Sequence, residues 1–479
     1  MGRSLRTPAG EPDGAYDHAT SNTRFLIRSN QSGMFQRMQH GGENSDYRID
    51  YVIGSGSHAT CYLARVGDHL FESPICNYPG RGYAMAPGFQ ENPAPAFTRP
   101  ITVECLLCHS DKPLPIAGSL NRYQSPAFDE EAISCDRCHG DTTAHLKRPV
   151  AGSIVNPAKL APAQRDSVCE RCHLAGAMRV LNPGKSWTDF HPGQTLESVF
   201  TTYVAESPDR NSPLRVVSQS EELARSQCSI ASKGRLWCAT CHDPHSEQAD
   251  SVAYYRDRCL SCHQSALPGG HPDRTSNCLP CHMPRREAQD GGHTAFTDHR
   301  IERRPRKDDG PIPAIEKLRA WREPAPELRA RNLALALNNA GLRYSSASAL
   351  VTQSYPLLLE VRKSFPNDPD VLMAIGNALL QQKQALEAAK IFERALELRH
   401  DDASLEDNAG TAWLEAGNSQ AAARHFERAL QLDSLLLPDI EALLRIYRQA
   451  GDRTKETSLM ERVRAAMITG PAQPASARH

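Results

Sequence analysis

The hydrophobic positions in the last third of the chain follow a helical spacing, and the whole block then repeats. "FERALEL" (Phe392–Leu398) returns as "FERALQL" (Phe426–Leu432), a shift of 34 residues. The same shift relates Gly376 to Gly410 and Ala388 to Ala422. One period earlier "LLEVRKSFPND" (Leu358–Asp368) aligns with "FERALELRHDD". One period later Met460 stands in for Phe426, and Gly451 matches Gly417. Small residues set against an Ala-x-x-x-Phe core at this period predict helix pairs that cannot bury their apolar faces alone and so stack on their neighbours. We read four repeats over residues 324–468, the outer two degenerate as caps, and a tail over 469–479.

Upstream the pattern changes. "YRIDYVI" (Tyr47–Ile53) predicts a short strand, and "IGSGSH" (Ile53–His58) the hairpin turn after it. That glycine pair lacks the Gly-Lys-Ser/Thr that would make it a phosphate loop. Residues 1–100 therefore read as a segment with short strands. "RRPRKDDGPIPAIEK" (Arg303–Lys317) marks a linker over 303–323. No run approaches the length of about 18 apolar residues that a membrane-spanning helix needs. Lys and Arg number 55 against 56 Asp and Glu, a balance that gives no basic footprint for nucleic acid.

The chemistry is concentrated between these two patterns. All 15 cysteines lie between Cys61 and Cys281. Twelve of them fall into six copies of Cys-x-x-Cys-His. The copies are Cys105/Cys108/His109, Cys135/Cys138/His139, Cys169/Cys172/His173, Cys238/Cys241/His242, Cys259/Cys262/His263 and Cys278/Cys281/His282. Zinc ribbons use Cys-x-x-Cys pairs without requiring a following His. Redox dithiols occur singly, at the start of a helix. Covalent haem c does require the His: two thiols add to the two vinyl groups, and the next residue turns its imidazole to the iron. Six haem c groups are expected. Their attachment belongs to an oxidising compartment, so we expect an exported, periplasmic protein. The N-terminal segment has no apolar core of a secretory signal, so we expect that signal on a segment upstream of Met1.

Ten further histidines precede Arg300. His145 and His245 follow their motifs too closely to reach the far side of their own haem, and are expected to close neighbouring ones. His271, in "GGHPD", and His293 and His299, in "GGHTAFTDHRI", are further candidate distal ligands, with His58 and His18 behind them. Cys61 and Cys76 are open to a disulfide or to two buried thiols, and Cys228 is left over.

The stretches "DYVIGSGSHATCYL", "CDRCHGDTTAH", "CATCHDPH" and "CLPCHMPRREAQDGGHTAFTDHRI" resemble multihaem cytochromes with doubled Cys-x-x-Cys-His motifs, related to the tetrahaem electron carrier of ammonia oxidisers. The chain is more closely similar to bacterial proteins that fuse such a cytochrome to tetratricopeptide repeats. The resemblance implies a mostly α fold: a haem-packed, loop-rich cytochrome domain over 101–302, a short N-terminal β-hairpin region, and a helical solenoid. It implies that His145 and His245 cap neighbouring haems, and that a further haem motif precedes this chain. The Cys-x-x-Cys-Lys motif of ammonifying nitrite reductases is absent from the sequence, which counts against that chemistry. The expected function is electron transfer through mainly bis-histidine haems, with a redox partner held in the repeat groove. The alternatives are a haem enzyme acting on a small nitrogen or sulfur species at one five-coordinate iron, and a repeat scaffold with accessory haems.

Overall fold

The computed structural model describes residues 4–206, 214–246, 248, 250–264, 274–303 and 314–468. The N-terminal segment is a nine-stranded antiparallel sheet, well beyond the short hairpin region expected. Its strands are β1 (Leu5–Arg6), β2 (Gly14–His18), β3 (Thr23–Asn30), β4 (Gly33–His40), β5 (Glu43–Ile53), β6 (Thr60–Val66), β7 (His69–Tyr78), β8 (Gly82–Met85) and β9 (Arg99–Pro100). β2 to β8 form a meander in sequence order, with β1 on β5 and β9 on β7. In β3, Thr23, Phe25 and Ile27 point inward while Arg24 and Arg28 face solvent, the period-2 pattern of a half-buried strand. The first four residues of β5, Glu43–Asp46, are all exposed. Backbone pairing carries that stretch rather than burial, so no apolar alternation announces it. The glycine turn between β5 and β6 is real: Gly54 has φ +103°, and a Cβ there would stand 2.5 Å from the Ala59 carbonyl.

Both faces of the sheet are covered. Phe25, Ile27, Met34, Ile49, Val52 and Ile75 form one core, which Leu435 of the helical repeats joins. Leu5, Leu63, Leu70, Ile101, Tyr123 and Phe128 form the other, and Leu106 of the first Cys-x-x-Cys-His motif packs into it. The sheet is thus a platform between the first motif and the end of the repeats. β7, buried along nearly its whole length, contributes to both cores, as do β5 and β6.

The C-terminal third is four helical hairpins: Arg329–Arg343 with Ala349–Ser364, Pro369–Gln381 with Ala385–Leu398, Ala403–Glu415 with Ser419–Leu432, and Leu437–Ala450 with Arg453–Ile468. Asp368 and Asp402, one repeat apart, each accept two backbone N–H bonds at a helix start. Gly376 lies against Phe392, and Gly410 against Phe426; a Cβ at either would come within 2.6 Å of the ring. The repeat in sequence is therefore a repeat of one packing contact.

The second half of the expected linker is not a free tether. Leu318–Ala320 is a strand on Phe200–Ala205, which pairs in turn with Met178–Leu181. The Trp321 indole donates to Glu170 Oε1 at 3.0 Å, and Arg322 forms ion pairs with Glu170 and Glu197. These acids lie far upstream, so their pairing with Arg322 has no local sequence signal. Among the described residues no helix is long and apolar enough to cross a membrane.

Candidate functional site

Each motif sits on a short helical turn. The His139, His242, His263 and His282 N–H groups donate to the carbonyls of Cys135, Cys238, Cys259 and Cys278, at 3.0, 2.9, 3.0 and 3.1 Å. Positions i, i+3 and i+4 of a helix share one face. Cys-x-x-Cys-His on such a turn therefore presents two thiols and an imidazole together. The third motif rides at the end of the helix Pro162–His173; at the first, His109 N bonds instead to Leu106 O at 3.1 Å. All twelve motif cysteines and Cys228 are free thiols. Cys61 and Cys76, cross-strand partners on β6 and β7, form a disulfide.

The motifs touch one another. The Cys108 thiol donates to the Arg171 carbonyl at 3.9 Å and the Cys172 thiol to the Leu107 carbonyl at 3.8 Å; Cys169 lies near Cys238, and Cys259 near Cys278, close enough to influence each other's ionisation. This contiguity links the first, third and fourth motifs, and separately the fifth and sixth. The closeness of the two thiols raises the pKa of Cys108 and lowers that of Cys172; burial raises both, and Arg171, Arg137 and Arg179 further lower Cys172.

The expected haem-packed surroundings do not extend to every thiol. Cys262 is exposed, as are Cys105, Cys135 and Cys281, while the other motif cysteines are half-buried. At the fifth motif the helix Ser251–Leu260 ends before Cys262. That thiol therefore stands past the helix end, where its sulfur accepts only a weak bond from the Ser261 hydroxyl at 3.9 Å. The protein alone thus does not enclose the predicted attachment point at Cys262, in contrast to Cys108 and Cys172. The backbone geometry of the motif is kept, with Cys262 N donating to the Cys259 carbonyl at 3.2 Å.

Five of the imidazoles share a second feature. His139 Nδ1 lies 2.7 Å from the Val155 carbonyl, and His282 Nδ1 3.0 Å from the Glu302 carbonyl. His299 Nδ1 is 2.9 Å from the Thr297 carbonyl, and His173 Nδ1 3.1 Å from Gln219 Oε1. His145 Nδ1 is 2.7 Å from Ser153 Oγ, whose own proton goes to the Val150 carbonyl. An acceptor at Nδ1 fixes the proton there and leaves Nε2 as a bare lone pair, the form a metal ligand requires. Burial lowers the pKa of His109, His242 and His299, which also favours the neutral ring.

Two ring pairs stand out. His139 and His245 have centroids 5.9 Å apart with planes 15° from parallel. His242 and His299 have centroids 6.1 Å apart and an angle of 26°. These separations are too long for face-to-face contact. Two metal–nitrogen bonds of about 2 Å, with the distance from each nitrogen to its ring centre, span roughly 6 Å. The spacing therefore suits one metal held between two imidazoles.

The remaining candidates divide. His18 does not suit a ligand: Nδ1 bonds to Ser21 Oγ and Nε2 to the Gln90 carbonyl, both at 2.8 Å. Burial inside the sheet has committed both nitrogens, which corrects the expectation for this residue. The glycine turn carries His58 onto Phe296, with rings stacked at 4.3 Å. Its Nδ1 faces the Arg285 guanidinium at 3.4 Å, a donor rather than an acceptor. His293 is exposed and sits edge-on to Tyr78. His271 lies outside the described residues. Among the described residues no three His, Cys, Asp or Glu side chains converge as a metal cluster.

Two features had no sequence signal. His69, one of the less favoured histidines, is an interdomain strut: its Nε2 is 2.7 Å from Asp433 Oδ1, and both residues are buried. Arg171, between the cysteines of the third motif, is buried rather than solvated, close enough to Cys108, Cys172 and Arg137 for their charges to act on it.

No family model matches the chain, and no curated protein matches it. Solved structures are similar over part of the chain. "MamA MSR-1 C2" shares 18% identity over 28% of this chain and 75% of its own, with a TM-score of 0.25. "Crystal structure of MamA" shares 16% over 29% and 81%, with a TM-score of 0.26. "MamA 41-end from Desulfovibrio magneticus RS-1" shares 18% over 29% and 77%, with a TM-score of 0.25. TM-scores this low carry no weight for function.

Proposed function

We propose that this protein is an exported multihaem c-type cytochrome that passes electrons along six covalently attached haems, with its tetratricopeptide-type repeats docking a redox partner. The observation that carries this reading is the two pairs of neighbouring, near-parallel imidazoles, His139 with His245 and His242 with His299, whose ring centres stand at the separation an iron between them needs. The six Cys pairs would form the thioethers, and His109, His139, His173, His242, His263 and His282 the proximal ligands. His245 and His299 would be distal ligands, with His145 a third whose Nε2 is uncommitted. Haem c supplies a one-electron couple whose potential is set by its axial ligands and surroundings.

The protein's own part is positional. Acceptors at Nδ1 hold the His139, His173, His282 and His299 imidazoles in one tautomer and orientation. Contacts between motifs bring the thiol pairs side by side. The helices Gln227–Ser232, Cys238–Cys241, Ser251–Leu260 and Leu279–His282 have no buried residue. A segment with so little core of its own suits one that folds around large apolar groups. The exposure of Cys262 fits the same reading, since a macrocycle attached there would cover it. The Cys61–Cys76 disulfide supports an oxidising compartment.

A second reading rests on the contacts between motifs. Cys108 with Cys172, and Cys169 with Cys238, are neighbouring thiols that an oxidant such as dioxygen would convert to disulfides in a chain that takes no haem. Intact mass separates the two: six haem additions support the cytochrome, and loss of two hydrogens per cysteine pair without haem overturns it. Electron paramagnetic resonance of the oxidised protein then divides carrier from enzyme. Low-spin signals alone support the carrier; a high-spin haem with turnover of nitrite or hydroxylamine supports the enzyme.

A further inference from the structure

Val371 and Leu405 stand 34 residues apart, in equivalent places on the first helices of two successive hairpins, and both are fully buried in the repeat core. The next residue in that register is Asp439, in the first turn of Leu437–Ala450 and only 1% exposed. An acid thus stands where the two preceding hairpins bury an aliphatic side chain. An aspartate at a helix start ordinarily accepts backbone N–H bonds, as Asp368 and Asp402 do. Both Asp439 oxygens are instead buried with no hydrogen-bond partner among the described residues.

No cation offsets this burial. The two groups whose charges act on Asp439 are themselves acids: Asp407, on the helix Ala403–Glu415, and Asp433, just before its own helix. Asp433 is engaged by His69 at 2.7 Å. On the surrounding helices His425 is taken by Glu406 at 2.7 Å, Arg428 by Asp401 at 2.7 Å, and Arg448 by Glu456 at 2.6 Å. Glu427 accepts from the Tyr447 hydroxyl. The remaining charged residues of these helices are exposed. Burial first, then the neighbouring Asp407 and Asp433, push the Asp439 carboxyl up to about 9.

The hairpin that carries Asp439 is docked on two sides. Ile440, Leu443 and Tyr447 pack with Ala422, Phe426 and Leu430 of the hairpin before it. Leu435, Val463 and Ala466 join a core of the sheet. A carboxylate buried in this position without a partner opposes the docking, whereas a neutral acid opposes it far less.

We infer that Asp439 is a proton-operated latch: its protonated carboxyl lets the last hairpin, Leu437–Ala450 with Arg453–Ile468, stay docked on Ser419–Leu432 and on the sheet, and loss of the proton releases it. On release the carboxyl O–H bond breaks, its electron pair stays on the carboxylate and the proton passes to water. The docked hairpin binds the proton and the released one gives it up. The stabilisation is therefore full below the ordinary carboxylate value, about 3.9, and is lost as pH rises towards the folded value. The inference is independent of the haem reading.

The test is hydrogen exchange of the full chain, with wild type and Asp439→Asn compared at each pH so that intrinsic exchange rates cancel. The His69–Asp433 contact is common to both chains and cancels as well. Opening of 437–468 in wild type relative to Asp439→Asn is expected to rise by up to about tenfold per pH unit between pH 5 and 8. The same ratio for 369–398 should stay constant. Asp439→Leu, which restores the aliphatic residue of the preceding hairpins, is expected to raise the thermal midpoint at pH 8, and it carries the test if Asp439→Asn does not fold. A ratio for 437–468 that does not change with pH overturns the inference. So does a rise shared equally by the whole chain, or an Asp439→Leu variant no more stable than wild type at pH 8.

Discussion

The imidazoles of His139 and His245 lie near-parallel with their centres 5.9 Å apart, although one belongs to the second motif and the other follows the fourth. His139 is held by the Val155 carbonyl, and His245 lies on the exposed turn after Pro244, 3.5 Å from Asp243. One side of this pair is thus fixed by a backbone contact and the other rests on a solvated loop. Replacing His245 with Ala is expected to leave six haems attached and to turn one of them high-spin. Electron paramagnetic resonance reads the outcome, and a wholly low-spin variant would remove His245 from the ligand set.

Each motif should hold its haem through its own thiols, since the helical turn puts them on one face. Replacing Cys238 and Cys241 together with Ala is expected to lower the haem count by one. The pyridine haemochrome absorbance per chain measures it. A count that falls by more would mean that neighbouring motifs depend on the fourth to fold.

The strut between sheet and repeats should make stability depend on pH. Burial lowers the pKa of His69, but hydrogen bonds with Asp433 and Asp68 outweigh it, and the net shift is upward. A raised folded-state pKa means that the ion pair contributes fully below the unfolded value, about 6.5. That contribution is lost as pH rises through the higher folded value. Asp433 also accepts the Leu120 N–H at 2.9 Å. Asp433→Asn is expected to cost about 1–3 kcal/mol at pH 6 and to flatten the decline between pH 6 and 9. Thermal unfolding across that range checks it, and a decline equal to wild type would sink the assignment.

Within the repeats the tightest requirement is the glycine under each phenylalanine. Gly376→Ala puts a methyl against a Phe392 ring that is fully buried, an overpacking worth about 1–3 kcal/mol. Urea denaturation of the full chain measures it. An unchanged midpoint would mean that the helices can slide apart to admit the methyl.

The sequence was legible where chemistry or repetition leaves a pattern. The 34-residue shift located Gly376, Phe392, Gly410 and Phe426, because identical packing demands identical residues. The six Cys-x-x-Cys-His motifs were legible because covalent attachment fixes residue types at fixed spacing. Their surroundings were not: nothing in the spacing separates Cys172, whose thiol donates to the Leu107 carbonyl of the first motif, from the exposed Cys262. The sheet was under-read because Glu43–Asp46 and much of β4 are polar, so ladder bonding holds them where no alternation shows. The distal ligands were legible only as a set of histidines: nothing local separates His245, facing an imidazole, from His18, with both nitrogens bonded inside the sheet.

The sequence by itself determined the six motifs and the repeat, since both depend on residue type and spacing within one turn or one hairpin. Only the tertiary structure decided which histidine faces which, that His69 pins Asp433, and that Arg171 is buried without a partner among the described residues. Those facts depend on distances between residues far apart in the chain, and long-range packing sets such distances without any local pattern to record them.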